Sequence, residues 1–100
     1  GLIDHVRSVG DHLERCLRTL ALKHPVIVEA RGAGLMRGLE LRIDATPVID
    51  LARERGLLVN RTNEKVVRLL PPLTISAEDL DKGIGILDAV LAEVPAEVHA

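Results

Sequence analysis

Val66-Val67-Arg68-Leu69-Leu70-Pro71-Pro72-Leu73 places one permanent cation among apolar residues and then halts the chain with two prolines. Val66 and Val67 favour an extended backbone. Pro71 pushes Leu70 out of the helical region, and Pro72 does the same to Pro71. Neither proline has an N–H to offer a ladder, so a sheet strand does not run through them. The stretch reads as a short strand, Val66 to Leu70, that ends in a rigid, extended segment. A guanidinium half-withdrawn from water there needs an anionic partner. The nearest acidic residue in sequence is Glu64. Two readings stay open on these residues alone. Arg68 snorkels out or pairs with a carboxylate elsewhere in the fold, or it meets the acid group of a ligand.

Upstream of this strand, Asn60 to Lys65 is polar and reads as a turn, with Leu57-Leu58-Val59 as a short strand before it. Gly56 suits the left-handed position that closes a helix. That helix opens at Thr46-Pro47, with Thr46 as cap and Pro47 in the first turn, and buries Val48, Ile49, Leu51 and Ala52. Further back, Val26-Ile27-Val28-Glu29-Ala30-Arg31 is strand-like. Gly32-Ala33-Gly34 can turn the chain. Leu35, Leu39, Leu41 and Ile43 then alternate with Glu40 and Arg42, which predicts an antiparallel hairpin. Ile3, Val6, Leu13, Leu17 and Leu20, with Gly10 in the same stripe, predict an amphipathic helix over about residues 2–23. Gly10 marks a close approach to another element.

Downstream, Ser76 and Asp79 resemble a capping box. A last helix follows, with Leu80, Ile84, Leu87, Leu91 and Val94 on one face and Pro95 ending it. The order is α-β-β-α-β-β-α. The predicted fold class is α/β of the α+β kind: helices packed on a small, mainly antiparallel sheet of about four strands.

One hundred residues predict one domain, 1–100, with a single core. Apolar residues make up 47% of the chain, which excludes a disordered protein. There is no Phe, Tyr or Trp, so Leu, Val, Ile and Ala must build the core. The same lack removes the stacking platforms of single-stranded nucleic-acid binders, and a net charge of −2 gives no footprint for a phosphate backbone. No nucleic-acid or membrane partner is expected. One cysteine, Cys16, reads as a thiol in a reducing, cytoplasmic compartment. The chain enters helical periodicity straight after Gly1, without a capping residue, which reads as a fragment of a longer protein.

Several chemical constellations fail on inspection. Gly32, Gly34 and Gly38 have the wrong spacing for a phosphate loop, and a strand follows them rather than a helix. His12 and Cys16 lie four apart on a helix, a workable metal spacing. Cys16 nonetheless flanks the apolar stripe, and His5 and His12 flank the charged face, so a buried thiol and solvated histidines are expected and no metal. Ser8 is mid-helix and Ser76 is a cap, so neither is an activated nucleophile. Asp44, Asp50 and Glu54 surround a helix entry, where they suit the dipole or the solvent. His24 precedes a proline, and His99 lies near the end of the chain.

Three blocks stand in order: Arg31-Gly32-Ala33-Gly34-Leu35-Met36-Arg37-Gly38-Leu39-Glu40-Leu41, Gly56-Leu57-Leu58-Val59, and Val66-Val67-Arg68-Leu69-Leu70-Pro71-Pro72-Leu73-Thr74-Ile75. In this arrangement the chain resembles the C-terminal small domain of class-III aminotransferases, the acetylornithine type in particular. The resemblance covers essentially the whole chain. It implies the small-domain fold of such enzymes and pyridoxal 5′-phosphate as cofactor, held by a large domain outside this chain. It implies that Arg68 binds the α-carboxylate of glutamate or 2-oxoglutarate, and that the other partners are an amino donor and, in a homodimer, a second copy. Among Lys23, Lys65 and Lys82 none stands in a motif matching the Schiff-base lysine. No catalytic or cofactor-binding residue is therefore expected here, and the fragment alone is expected to be inactive. N-acetylornithine is the donor the resemblance implies, in arginine biosynthesis; ornithine, succinyl-diaminopimelate and 4-aminobutyrate are the alternatives. A free-standing α/β binding or regulatory module, with Arg68 reading an effector carboxylate, is the competing reading, and a purely structural packing domain the third.

Overall fold

The computed structural model describes residues 1–94. The elements are α1 (Leu2–Lys23), β1 (Ile27–Ala33), β2 (Met36–Leu41), α2 (Thr46–Glu54), β3 (Asn60–Asn63), β4 (Val66–Leu69) and α3 (Ala77–Glu93). The strands form one antiparallel sheet in the order β1-β2-β4-β3. The expected element order and fold class hold. Pro95 and His99 lie outside the described residues. No described helix is long and apolar enough to cross a membrane.

Alternation along the strands divides the sheet into two faces. Arg37, Leu39 and Leu41 of β2 and Val67 and Leu69 of β4 point inward and are buried. They meet Leu13, Leu17 and Leu20 of α1, Val48, Ile49 and Ala52 of α2, and Leu80, Leu87 and Leu91 of α3 in one aliphatic core. The other face carries Arg31 of β1, Met36, Gly38 and Glu40 of β2, and Val66 and Arg68 of β4, all exposed or half-buried.

Local chemistry explains the boundaries. Ser76 Oγ accepts the Asp79 N–H at 3.0 Å, so the expected cap starts α3. At the end of α2, Leu57 N–H donates to Ala52 O and Gly56 N–H to Arg53 O, with Gly56 at φ +86°. That is a Schellman closure around the glycine. The β1–β2 loop is two residues, Gly34-Leu35, between the paired Ala33 and Met36. Gly34 takes φ +57°, and Gly32 before it φ +122°.

Four expectations need correction. The strand expected at Leu57–Val59 lies instead at Asn60–Asn63, within the stretch read as a turn. Asn60 to Asn63 are all exposed, so they have no apolar face to announce a strand; ladder bonds to β4 at the sheet edge hold them extended. Leu57 and Val59 instead pack inward, Leu57 against Gly83 of α3. At α2 the cap is not Thr46. Asp44 Oδ1 accepts the Thr46 N–H at 2.8 Å, and Thr46 Oγ1 accepts from Arg61. In α1, Ile3 is 73% exposed and Val9 is buried in its place. In β2 the buried face includes Arg37, which no hydrophobic pattern selects.

Gly10 does mark a close approach. A Cβ there would lie 3.2 Å from the carbonyl oxygen of Gly34, so the β1–β2 loop rests on the helix at this point.

Candidate functional site

Arg68 lies on the open face of β4, between Gly38 of β2 and Asn60 of β3 in the ladder. Its strand has buried Val67 and Leu69 on the opposite side, which fixes the direction of the side chain. Arg68 is half-buried, and its Nε is buried without a hydrogen-bond partner among the described residues. It borders an open concavity of about 400 Å³ with Arg31, Met36, Gly38, Thr62 and Val66.

Three arginines border this concavity, and two are committed. Arg31 pairs with Glu40 directly and with Glu29 at 3.9 Å. Arg37 donates from Nε to Gly34 O at 2.8 Å, from Nη1 to Gly32 O at 3.2 Å and from Nη2 to Gly10 O at 3.4 Å. Its Nη1 also lies 3.5 Å from Glu14. Arg68 makes no ion pair among the described residues. A buried guanidinium nitrogen without an acceptor is costly. A planar carboxylate is the group that fits the fork, through two parallel charge-assisted bonds.

Of the sequence-derived candidates, Arg68 alone reaches this site. Lys23 donates to Asp88 at 2.8 Å, Lys65 sits in the β3–β4 turn, and Lys82 lies 3.7 Å from Glu78. Ser8 is exposed on α1 and Ser76 caps α3. Asp44 is held below the usual carboxylate range by its bonds from Thr46, with help from Arg61. Asp50 and Glu54 are exposed.

The histidines are not simply solvated. His5 Nε2 lies 2.8 Å from Ile75 O, and buried His24 Nε2 lies 2.6 Å from Asp88 Oδ1. His12 Nε2 lies 2.5 Å from Asp81 Oδ1 and 3.7 Å from Cys16 Sγ. Burial pushes the Cys16 thiol up, and Asp81 adds to this against Arg15, so Cys16 is a poor nucleophile. Sequence reading missed Asp81, which lies 69 residues from His12. It also missed Arg37 as a core residue, although Arg37 shares its parity with Leu39 and Leu41.

A sequence model of the family described as aminotransferase class-III matches residues 1–91. The acetylornithine aminotransferase of Caldanaerobacter subterraneus subsp. tengcongensis is 40% identical over 95 residues, covering 94% of this chain and 24% of that protein. Among solved structures, the acetylornithine aminotransferase of Elizabethkingia anophelis superposes with a TM-score of 0.86 at 26% identity, over 93% of this chain and 26% of that one. The ornithine aminotransferase of Toxoplasma gondii, with PLP at partial occupancy in its active site, gives 0.81 at 31% identity over 90% and 22%. The chain spans about a quarter of the length of the relatives it matches.

Proposed function

The chain belongs to the class-III aminotransferases, and on that premise we propose that it is the substrate-clamping small domain of such an enzyme, with Arg68 as the anchor for a substrate carboxylate. The observation that carries the reading is the Arg68 Nε, buried beside an open concavity with no acceptor among the described residues. The substrate class is a 2-oxo acid and its amino acid, 2-oxoglutarate and glutamate. The donor we favour is N-acetylornithine, because acetylornithine aminotransferases match 94–97% of this chain at 40% identity, whereas an ornithine aminotransferase matches 75% of it at 44%. The reaction exchanges the donor's amino group for the keto oxygen of the acceptor.

Class-III aminotransferases use pyridoxal phosphate, which serves as the electron sink. This chain's residues do not form a cradle for it, because none of its three lysines lines the concavity. The cofactor and the Schiff-base lysine belong to the rest of the protein. The part of this chain is positioning. A bidentate fork at Arg68 fixes the substrate carboxylate, and with it the carbon that exchanges nitrogen. Exposed Met36 and Leu70, beside the concavity and just past β4, suit coverage by that large domain.

The experiment is Arg68→Lys in the full-length enzyme. Lysine keeps the charge and loses the fork. The Michaelis constants for 2-oxoglutarate and glutamate are expected to rise roughly ten- to a hundredfold, the equivalent of one charge-assisted hydrogen bond. Unchanged constants would remove Arg68 from the site.

A further inference from the structure

The helical side of the molecule carries a second set of functional groups, away from Arg68 and independent of the reading above. His12 and Cys16 stand one turn apart on α1, and Asp81 faces them from α3. The three ligand atoms, His12 Nε2, Cys16 Sγ and Asp81 Oδ1, all lie within 4.8 Å of one another. We propose that His12, Cys16 and Asp81 form a binding site for a divalent cation of the zinc class, which clasps α1 to α3.

The chemistry follows from what the three atoms share. Both Asp81 and Cys16 converge on the same imidazole nitrogen. That nitrogen carries at most one proton, so it cannot serve both neighbours as donor. A Cys-His-Asp relay would need the carboxylate on the other ring nitrogen, so this is not a nucleophile and its base. Three electron-pair donors within 4.8 Å of one another can instead be satisfied together by a cation.

The distances are close to those required. With Zn–S near 2.3 Å and Zn–N near 2.0–2.1 Å, tetrahedral geometry places sulfur and nitrogen about 3.5 Å apart, against 3.7 Å here. The same geometry asks for roughly 3.4 Å between nitrogen and oxygen. The carboxylate must therefore swing out from its 2.5 Å contact, and with a side chain 59% exposed it has room to do so. His12 is 30% exposed, which leaves a path for the ion and a fourth position for water. A thiolate, an imidazole and one carboxylate form a borderline donor set. It suits Zn²⁺ and discriminates against Mg²⁺ and Ca²⁺, which prefer oxygen ligands. On binding, the thiol proton leaves to the solvent.

The test uses the full-length protein, stripped with a chelator, in four forms: wild type, Cys16→Ser, His12→Gln and Asp81→Asn. Each is titrated with Zn²⁺ by calorimetry and with Co²⁺ by absorption, the cobalt spectrum being read as the difference between wild type and Cys16→Ser. The expected result is one tight equivalent per chain in the wild type. Each substitution should weaken it by about tenfold or more, since a lost ligand costs no less than a lost outer partner of a ligand. The cobalt difference spectrum should contain a thiolate charge-transfer band. Asp81 is exposed and His12 and Cys16 are half-buried, and the His12–Asp81 contact joins α1 to α3, so metal-free thermal midpoints should fall slightly in the His12 and Asp81 variants; a cooperative melt in every form separates lost binding from lost fold. Mg²⁺ should not compete. No equivalent bound by the wild type, or one whose affinity ignores all three substitutions, overturns the proposal, as does a cobalt spectrum that is unchanged in Cys16→Ser.

Discussion

Gly38 stands directly across the β2–β4 ladder from Arg68, on the open face of the sheet. Side chains paired in this way have Cβ atoms about 5 Å apart, close enough to compete for space. With no side chain at position 38, the β2 flank of Arg68 stays clear and the concavity reaches the guanidinium. A Cβ built there would lie 3.4 Å from Val66 Cγ1, a methyl that can yield. Gly38→Ala should therefore fold with its stability changed by less than about 1 kcal/mol, whereas Gly38→Leu should fill the space in front of Arg68. In the full-length enzyme, Gly38→Leu is expected to raise the Michaelis constant for 2-oxoglutarate while urea unfolding stays close to that of Gly38→Ala. Equal constants for the two variants would mean that the substrate does not approach over β2.

Two glycines of positive φ at the β1–β2 hairpin, Gly32 in the last residues of β1 and Gly34 in the loop, should respond differently to the same change. Gly32, at φ +122°, would set a Cβ against Met36 O and 2.9 Å from Arg37 Cα, both of them backbone atoms. Gly34, at φ +57°, has open space around it. Gly34→Ala should cost only the left-handed penalty, about 1–2 kcal/mol. Gly32→Ala adds steric overlap that the ladder cannot relieve, and should cost about 3 kcal/mol or more. Urea midpoints of the two variants test the order. A reversal would mean that the hairpin adjusts its register.

How much of this was legible depended on whether a residue's partner was close in sequence. Ser76 with Asp79, and Gly56 at the end of α2, are bonds that span a few residues, so α3 begins and α2 ends where the sequence predicts. The place of Arg68 on a short strand was legible because Val66, Val67 and the proline pair fix that strand. Asn60–Asn63 was not, because an edge strand exposed on both sides has no period to read; it is extended because β4 offers it a ladder. Arg37 was hidden for another reason. Its charge suggests solvent, and only the carbonyls of Gly10, Gly32 and Gly34, gathered by the fold, make its burial tolerable. Asp81 joins His12 through helix packing alone.

Arg37 therefore supports a prediction about stability rather than binding. It is 8% exposed and ties the β1–β2 turn to α1. Arg37→Met keeps much of the apolar volume but leaves three carbonyls and the Glu14 carboxylate without this donor. The expected loss is about 2–4 kcal/mol, the range for removing one member of a buried polar set. Arg37→Lys restores the charge without the fork and should recover part of it. Chemical denaturation should show a lower midpoint with an unchanged slope. If Arg37→Met unfolds at the wild-type midpoint, the carbonyls are satisfied by water instead.

Asp88 closes the other end of α1. Its Oδ2 accepts from Lys23 Nζ at 2.8 Å, and its Oδ1 lies 2.6 Å from Nε2 of buried His24, joining the end of α1 to α3. The bond from Lys23, then the contact with His24, hold the Asp88 carboxyl below its ordinary range against the opposing effect of burial. A carboxyl that is more acidic in the folded than in the unfolded state adds stability at pH values above its unfolded pKa. That stability fades as pH falls below about 3.9 and through the lower folded value. Asp88→Asn removes the term at every pH. The wild type should therefore be the more stable by a constant margin near neutrality, and the margin should shrink as the solution is acidified below about pH 4. Urea unfolding of both proteins from pH 7 down to pH 3 measures this directly. A margin that stays constant through the acid range would show that Asp88 acts through packing and hydrogen-bond geometry, with no contribution from its charge.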